Sequence, residues 1–202
     1  MRDLTIDGMS KIDGGEYGML KVDGMATCSG NLSAETATVD GMFTGEGDVS
    51  VGALKCDGMA KIRGNVKAGK LEVDGMLKVG GSKLEADEIS CDGMIKIRGE
   101  ISADVIKADG CIDAEEITGD SIFVRSHGHF FRPFFHHAKS RIKLIEATTV
   151  ELRGVVADSV NGKDVRIGRG CHINSVDCSG TLMISPWARV GTVTGDYATV
   201  RE

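Results

Sequence analysis

Along most of this chain, apolar and polar residues alternate in short bursts. Leu54 and Cys56 flank Lys55, Leu71 and Val73 flank Glu72, and Ile89 and Cys91 flank Ser90. Period two marks a strand with one buried face. Each burst runs into the triplet Asp-Gly-Met, found at Asp7-Gly8-Met9, Asp23-Gly24-Met25, Asp40-Gly41-Met42, Asp57-Gly58-Met59, Asp74-Gly75-Met76 and Asp92-Gly93-Met94. A seventh copy reads Asp109-Gly110-Cys111, and the steps between the aspartates are 16, 17, 17, 17, 18 and 17 residues. With the residue three before each Asp as position one, the units begin at Leu4, Leu20, Ala37, Leu54, Leu71, Ile89 and Ile106. Position three is Ile6, Val22, Val39, Cys56, Val73, Cys91 and Ala108; position nine is Ile12, Cys28, Gly45, Ile62, Val79, Ile97 and Ala114. A later pair follows, as in Leu32-x-Ala34, Val49-x-Val51, Val66-x-Ala68 and Ile101-x-Ala103.

Three strand bursts and three corners in about 17 residues predict a triangular coil. One such coil cannot bury its inner face, so coils must stack, with parallel strands and like residues in ladders. No segment before residue 120 sustains the 3.6-residue apolar period of a helix. The expectation is an all-β, single-domain solenoid of about ten coils, roughly 50 Å long at ~4.8 Å per coil. Within each coil the Asp is expected to point outward, the Gly to make a corner and the Met at position six to point inward.

The rhythm fades after Gly119. Residues 125–141 read Arg-Ser-His-Gly-His-Phe-Phe-Arg-Pro-Phe-Phe-His-His-Ala-Lys-Ser-Arg, with no acidic residue between Asp120 and Glu146. Coils resume near Leu144, Val160 and Val176, with strand pairs at Val150-x-Leu152, Val165-x-Ile167 and Leu182-x-Ile184, then Val190 and Val193. The predicted organisation is coils over 1–124, an out-of-register insertion over 125–141, further coils over 142–194 and a short polar end over 195–202.

Composition narrows this picture. Aromatics make up only 4 % of the chain, so a core must be built from aliphatic side chains. Glycine is frequent at 28 residues against 2 prolines, which suits many tight corners. The net charge of −6 argues against nucleic acid as the main partner. No apolar run approaches the ~18 residues of a membrane span. Residues Met1 to Ile6 lack the apolar run of a signal peptide, so a cytoplasmic location is expected. None of the six cysteines forms a Cys-x-x-Cys pair, which leaves zinc-ribbon and thioredoxin-like chemistry without support.

The 17-residue Asp-Gly coils, with phrases such as Lys61-Ile-Arg-Gly-Asn-Val66 and Lys96-Ile-Arg-Gly-Glu-Ile101, resemble the bactofilins, polymer-forming cytoskeletal proteins of bacteria. The interrupted coils running past residue 190 are most similar to members from Gram-positive bacilli. The resemblance implies a right-handed parallel β-helix and nucleotide-free self-assembly through the helix ends. It implies scaffolding in cell shape, cell-wall synthesis or flagellar motility, at the inner face of the membrane. The partners implied are further copies of the chain or a paralogous bactofilin, with peripheral membrane contact and with no nucleic acid, small-molecule substrate or cofactor. The membrane-targeting N-terminal tail of many bactofilins has no counterpart in this sequence, whereas the insertion is additional.

Candidate chemistry can be weighed column by column. Stacked methionines offer soft thioether ligands for Cu(I), but flexible packing beside a corner is the plainer reading. Cysteines at positions three, six and nine read as small buried hydrophobes. The aspartates lack the Gly-Gly-x-Gly-x-Asp nonapeptide of calcium β-rolls. They are expected to accept backbone N–H bonds at the corner, with Lys11, Lys61, Lys78 and Lys96 softening their repulsion. Ile167-Gly-Arg-Gly-Cys-His172 is superficially similar to hexapeptide acyltransferases, but a 17-residue step does not divide into three six-residue units. No catalytic, cofactor or metal residue is expected. For polymerisation the candidate end residues are Leu4 and Ile6 on one side and Trp187, Val190 and Val193 on the other. For a membrane or protein partner they are Phe130, Phe131, Arg132, Phe134 and Phe135, among basic residues suited to an anionic surface. The same segment leaves two other readings open: phenylalanines packed back onto the rod, or a metal held by His127, His129, His136 and His137. The alternative to a scaffold is a non-polymerising binding module that presents 125–141.

Overall fold

The computed structural model describes residues 1–126 and 139–200. Among them there is no helix, and strands pair in parallel one coil apart. The fold is a parallel β-solenoid of about 11 turns, compatible with a right-handed coil.

The strands are β1 (Arg2–Ile6), β2 (Met9–Val22), β3 (Met25–Val39), β4 (Met42–Gly45), β5 (Val49–Cys56) and β6 (Met59–Ile62). They continue as β7 (Val66–Val73), β8 (Met76–Val79), β9 (Lys83–Cys91), β10 (Met94–Ile97), β11 (Glu100–Ala108) and β12 (Cys111–Arg125). After the insertion come β13 (Ser140–Arg153), β14 (Val155–Ile167), β15 (His172–Cys178), β16 (Thr181–Ile184), β17 (Arg189–Thr194) and β18 (Ala198–Thr199). Long strands such as β2 and β3 bend round corners and serve more than one face. The Asp-Gly corner is different: it interrupts the strand at all seven of its copies.

Three inner faces build the core. One ladder runs Leu20, Ala37, Leu54, Leu71, Ile89, Ile106, Ile122, Val150, Val165 and Leu182, each paired with the next. Every member is buried. The third face stacks Leu32, Val49, Val66, Leu84, Ile101, Ile117, Ile145, Val160 and Val176 in the same way.

The second face corrects the expectation for methionine. Met9 is 81 % exposed, and Met25, Met42, Met59 and Met76 are between 36 and 42 % exposed. The inward residue is the next one: Ala26, Phe43, Ala60, Leu77, Ile95 and Ile112 are all buried. Alternation accounts for this. Position nine points inward, so position seven does too, and position six must point out.

Glycine at this corner also works otherwise than expected. Positive φ occurs at Gly15, Gly30, Gly154, Gly170 and Gly195, and at none of the Asp-Gly-Met glycines. These are held to glycine by the stack. A Cβ on Gly58 would run into the carbonyls of Gly41 and Asp40 in the coil before, and Gly24, Gly41, Gly75 and Gly93 are placed alike. Gly8, with no coil beneath it, has nothing within 4 Å.

The insertion leaves the ladder intact. Ile122 pairs with Val150, 28 residues on, whereas Val150 pairs with Val165, 15 residues on. Arg125 still belongs to β12 and Arg141 to β13, so the excursion is narrower than 125–141. Two serines clasp its neck. Ser126 Oγ and Ser140 Oγ lie 2.6 Å apart, and the Ser140 N–H donates to Ser126 Oγ at 3.2 Å. Ser140 is fully buried, and its Oγ accepts the Ile112 N–H at 3.0 Å. A chain can therefore leave the rod here without orphaning a buried polar group.

Candidate assembly surfaces

The two ends of the rod are finished differently. At the N-terminal end the phenol of Tyr17 lies inside the first coil and donates to the Asp13 carbonyl at 2.8 Å. The Arg2 guanidinium donates to the Tyr17 oxygen at 3.1 Å and sits 5.0 Å from the ring centroid. Asp3 accepts the Met19 N–H at 2.9 Å. The resulting cap covers part of the first coil. Ile6 is buried, Leu4 and Ile12 are half-buried, and β1 pairs on one side only, with β2.

The C-terminal end carries a groove. Leu182, Ile184, Pro186, Val193, Tyr197, Thr199 and Val200 line a groove of about 570 Å³. Strand β17 pairs only with β15, and β18 only with β16. Of the residues expected at this end, Val193 lines the groove, Val190 is half-buried beside it and Trp187 is exposed outside it. The expectation of a polar end over 195–202 is also corrected, because Tyr197 and Val200 belong to the groove wall. They flank the two-residue β18 on either side, and their isolated apolar letters carried no periodic signal.

A second surface runs along the rim. Asp7, Asp23, Asp40, Asp57, Asp74, Asp92 and Asp109 form an exposed acidic row beside the exposed methionines. Their cations are at position two, not position eight: Lys21 lies 2.7 Å from Asp23 and 3.9 Å from Asp40, and Lys55 lies 2.6 Å from Asp57. Lys96 pairs instead with Asp113, at 2.7 Å. The hydrogen bond from Lys21 holds Asp23 below the usual carboxylate range. Asp74 is pushed up, by burial first and then by Asp57 and Asp92. Among the described residues Asp74, Asp92 and Asp109 make no ion pair. Beyond Asp109 the row turns basic, with Arg125 stacked under Arg153 and both reaching Glu151, at 3.1 and 3.8 Å.

Side-chain acceptance of backbone N–H groups, expected of this acidic row, occurs at another corner. Asn31 accepts from Asp48 N–H at 2.9 Å, Asp48 from Asn65 N–H at 2.7 Å and Asn65 from Lys83 N–H at 3.0 Å. The ladder was visible in the sequence as amide or acid residues at a 17-residue step.

Cysteines at positions three and nine are buried, whereas Cys111 is half-buried. Burial pushes the Cys56 thiol up to about 11 and the Cys91 thiol up to about 12. His172 is exposed at the start of β15. Among the described residues no group of three or more His, Cys, Asp or Glu is placed to hold a metal ion, and no helix is long and apolar enough to cross a membrane. Phe130, Phe131, Arg132, Phe134 and Phe135, with His127, His129, His136 and His137, lie outside the described residues.

No protein-family model, no curated protein and no solved structure matches this chain.

Proposed function

We propose that this chain is a bactofilin-like cytoskeletal scaffold of the cytoplasm, which self-assembles into filaments by joining its rods at their ends. It works without catalysis, nucleotide or cofactor, and serves cell shape, cell-wall synthesis or motility. The observation that carries this reading is the C-terminal groove. Ile184, Val193, Tyr197 and Val200 leave the end of the core without an apolar cover, beside strand edges that pair on one side only. Unpaired edges over exposed apolar surface favour strand addition from another chain. The partner implied is a second copy or a paralogue with a matching end.

Tyr197 and Val200 are 38 and 44 % exposed, so charge can be placed there without disturbing the core. The double variant Tyr197→Lys, Val200→Lys is expected to fold, shown by an unchanged β-sheet circular dichroism spectrum, and to form short filaments or none in negative stain. Wild-type protein that stays monomeric in sedimentation at high concentration would overturn the reading.

A further inference from the structure

The Asp-Gly-Met triplet belongs to a longer outward pattern that end-to-end joining does not use. It reads Asp57-x-Met59-x-Lys61 and Asp74-x-Met76-x-Lys78, and Lys11 and Lys96 hold the lysine place in other coils. Strands β6 and β8 point their first and third residues out and their second and fourth in. Met59 pairs with Met76 and Lys61 with Lys78, so the outer surface of this sheet is a row of methionines beside a row of lysines. The aspartates of the corner form a third row on the other side of the methionines. Across the surface the order is Asp, Met, Lys, repeated at ~4.8 Å along the rod. Met59 and Met76 are 42 and 36 % exposed. Lys61 and Lys78 are exposed, and neither they nor Asp74 make an ion pair among the described residues.

We propose that this surface, centred on Met59 and Met76, binds the same surface of a second copy, with the two rods parallel, in step and related by a two-fold axis along their length. Charge complementarity carries the choice of partner. An anionic lipid surface would meet the lysines but be repelled by the aspartates beside them. A second copy offers each row its opposite.

The order of the rows also decides the direction. A two-fold along the rods reverses that order across the interface. Asp57 then faces Lys61 of the second copy, and Asp74 faces its Lys78. A two-fold across the rods keeps the order and sets Asp against Asp and Lys against Lys, which is repulsive. The parallel pair is isologous, so each methionine meets the same methionine of the other copy. Thioether side chains adapt well to such a contact. The pattern stops where Asp113 takes the lysine place above Lys96. The pairing stands whether or not the rods join end to end.

Cross-linking tests it on the full chain. In a Cys111→Ser background the remaining native cysteines are buried. One introduced cysteine then joins at most two chains, however the ends meet. Met42→Cys, Met59→Cys and Met76→Cys, made singly and treated with a short bismaleimide, are each expected to give a dimer on a denaturing gel. Each dimer should be several-fold more abundant than that of Ser50→Cys, which is exposed on the third face. An antiparallel pair would cross-link well at only one of the three methionine positions, and that result would overturn the proposal. So would a Ser50→Cys dimer as abundant as the Met59→Cys one.

Charge exchange sharpens the test. Lys61→Glu with Lys78→Glu should lower the Met59→Cys dimer several-fold, and so should Asp57→Lys with Asp74→Lys. An equal mixture of the two chains should restore it, because the mixed pair again opposes unlike charges. Circular dichroism would verify that each variant keeps its rod, and a mixture as weak as either chain alone would overturn the proposal. Dimers that vanish in the Tyr197→Lys, Val200→Lys chain would overturn it as well, since they would come from the ends. If no dimer forms and the Lys→Glu chain loses flotation with anionic vesicles, the surface belongs to a lipid partner instead.

Discussion

Coils before the insertion and coils after it turn the same corner by different means. Before it, the N–H groups of Asp and Gly both donate to one carbonyl of the preceding coil, as Asp23 and Gly24 do to Ile6 at 2.9 Å each. Asp57 and Gly58 repeat this on Val39, and Asp92 and Gly93 on Val73. From the insertion's own corner onward, Ser126, Gly154 and Gly170 donate forward, to the carbonyls of Arg153, Arg169 and Trp187, at 2.9, 3.1 and 3.1 Å. Gly154 and Gly170 have φ of 67° and 77°, in the left-handed region that favours glycine. The apolar ladders pass through both regions unchanged. The corner is therefore local chemistry, and the stacked inner faces carry the fold.

The largest expected effect tests whether both regions share one core. Leu77→Ala before the insertion and Ile145→Ala after it should each cost about 2–5 kcal/mol, because both residues are fully buried. Denaturant unfolding measures this. A second transition in either variant would separate the regions and break the comparison.

Next come the corners themselves. Gly58→Ala should cost about 1–3 kcal/mol, since its Cβ meets backbone on the preceding coil. Gly8→Ala in the same triplet should stay within about 0.5 kcal/mol, because its Cβ faces open space. Gly170→Ala should cost about 1–2 kcal/mol for its left-handed backbone alone, as its nearest neighbour would be Gly154 Cα at an ordinary 3.6 Å. Thermal melts of the three variants rank them. A Gly170 variant as stable as wild type would show that the later corners need no special backbone.

The smallest effect at neutral pH concerns the buried thiols of the first region. Cys56 and Cys91 stay protonated to about 11 and about 12 when folded, against a usual thiol value of 9.0. Above pH 9 the unfolded chain releases those protons and the folded chain does not. Stability is therefore lost as pH rises through the ordinary thiol value, and it is fully present below it. Melting temperature should fall between pH 8.5 and 10.5, and Cys91→Val should flatten that fall, since Val73 occupies the same position in the coil before it.

Much of the fold was legible because a period-two pattern on a 17-residue step admits few structures. Position one and position three pointed inward as read, and the third-face pairs such as Val66 and Ala68 did the same. The methionines were misassigned because two conflicting cues met at one residue. Their apolar side chain argued for the core, and strand parity argued against it. Parity prevailed because Ala60 and Ile62 already fill the inner face on either side of Lys61. For the assembly surfaces the sequence placed Val193 at the C-terminal end, but the groove needed Tyr197 and Val200, which no periodicity marks. Ser140 was read as part of the insertion, and it is a buried clasp of the rod.

The sequence by itself determined that this is a stack of coils, how long each coil is, and where the rhythm breaks. Those follow from a repeat that can bury its apolar face only against copies of itself. Tertiary structure alone decided which way each methionine points, why the corner must be glycine, and which end of the core stays open. Each of these depends on a neighbour one coil away: a strand phase shared across the ladder, a carbonyl where a Cβ would sit, or the lack of a next coil above Val193.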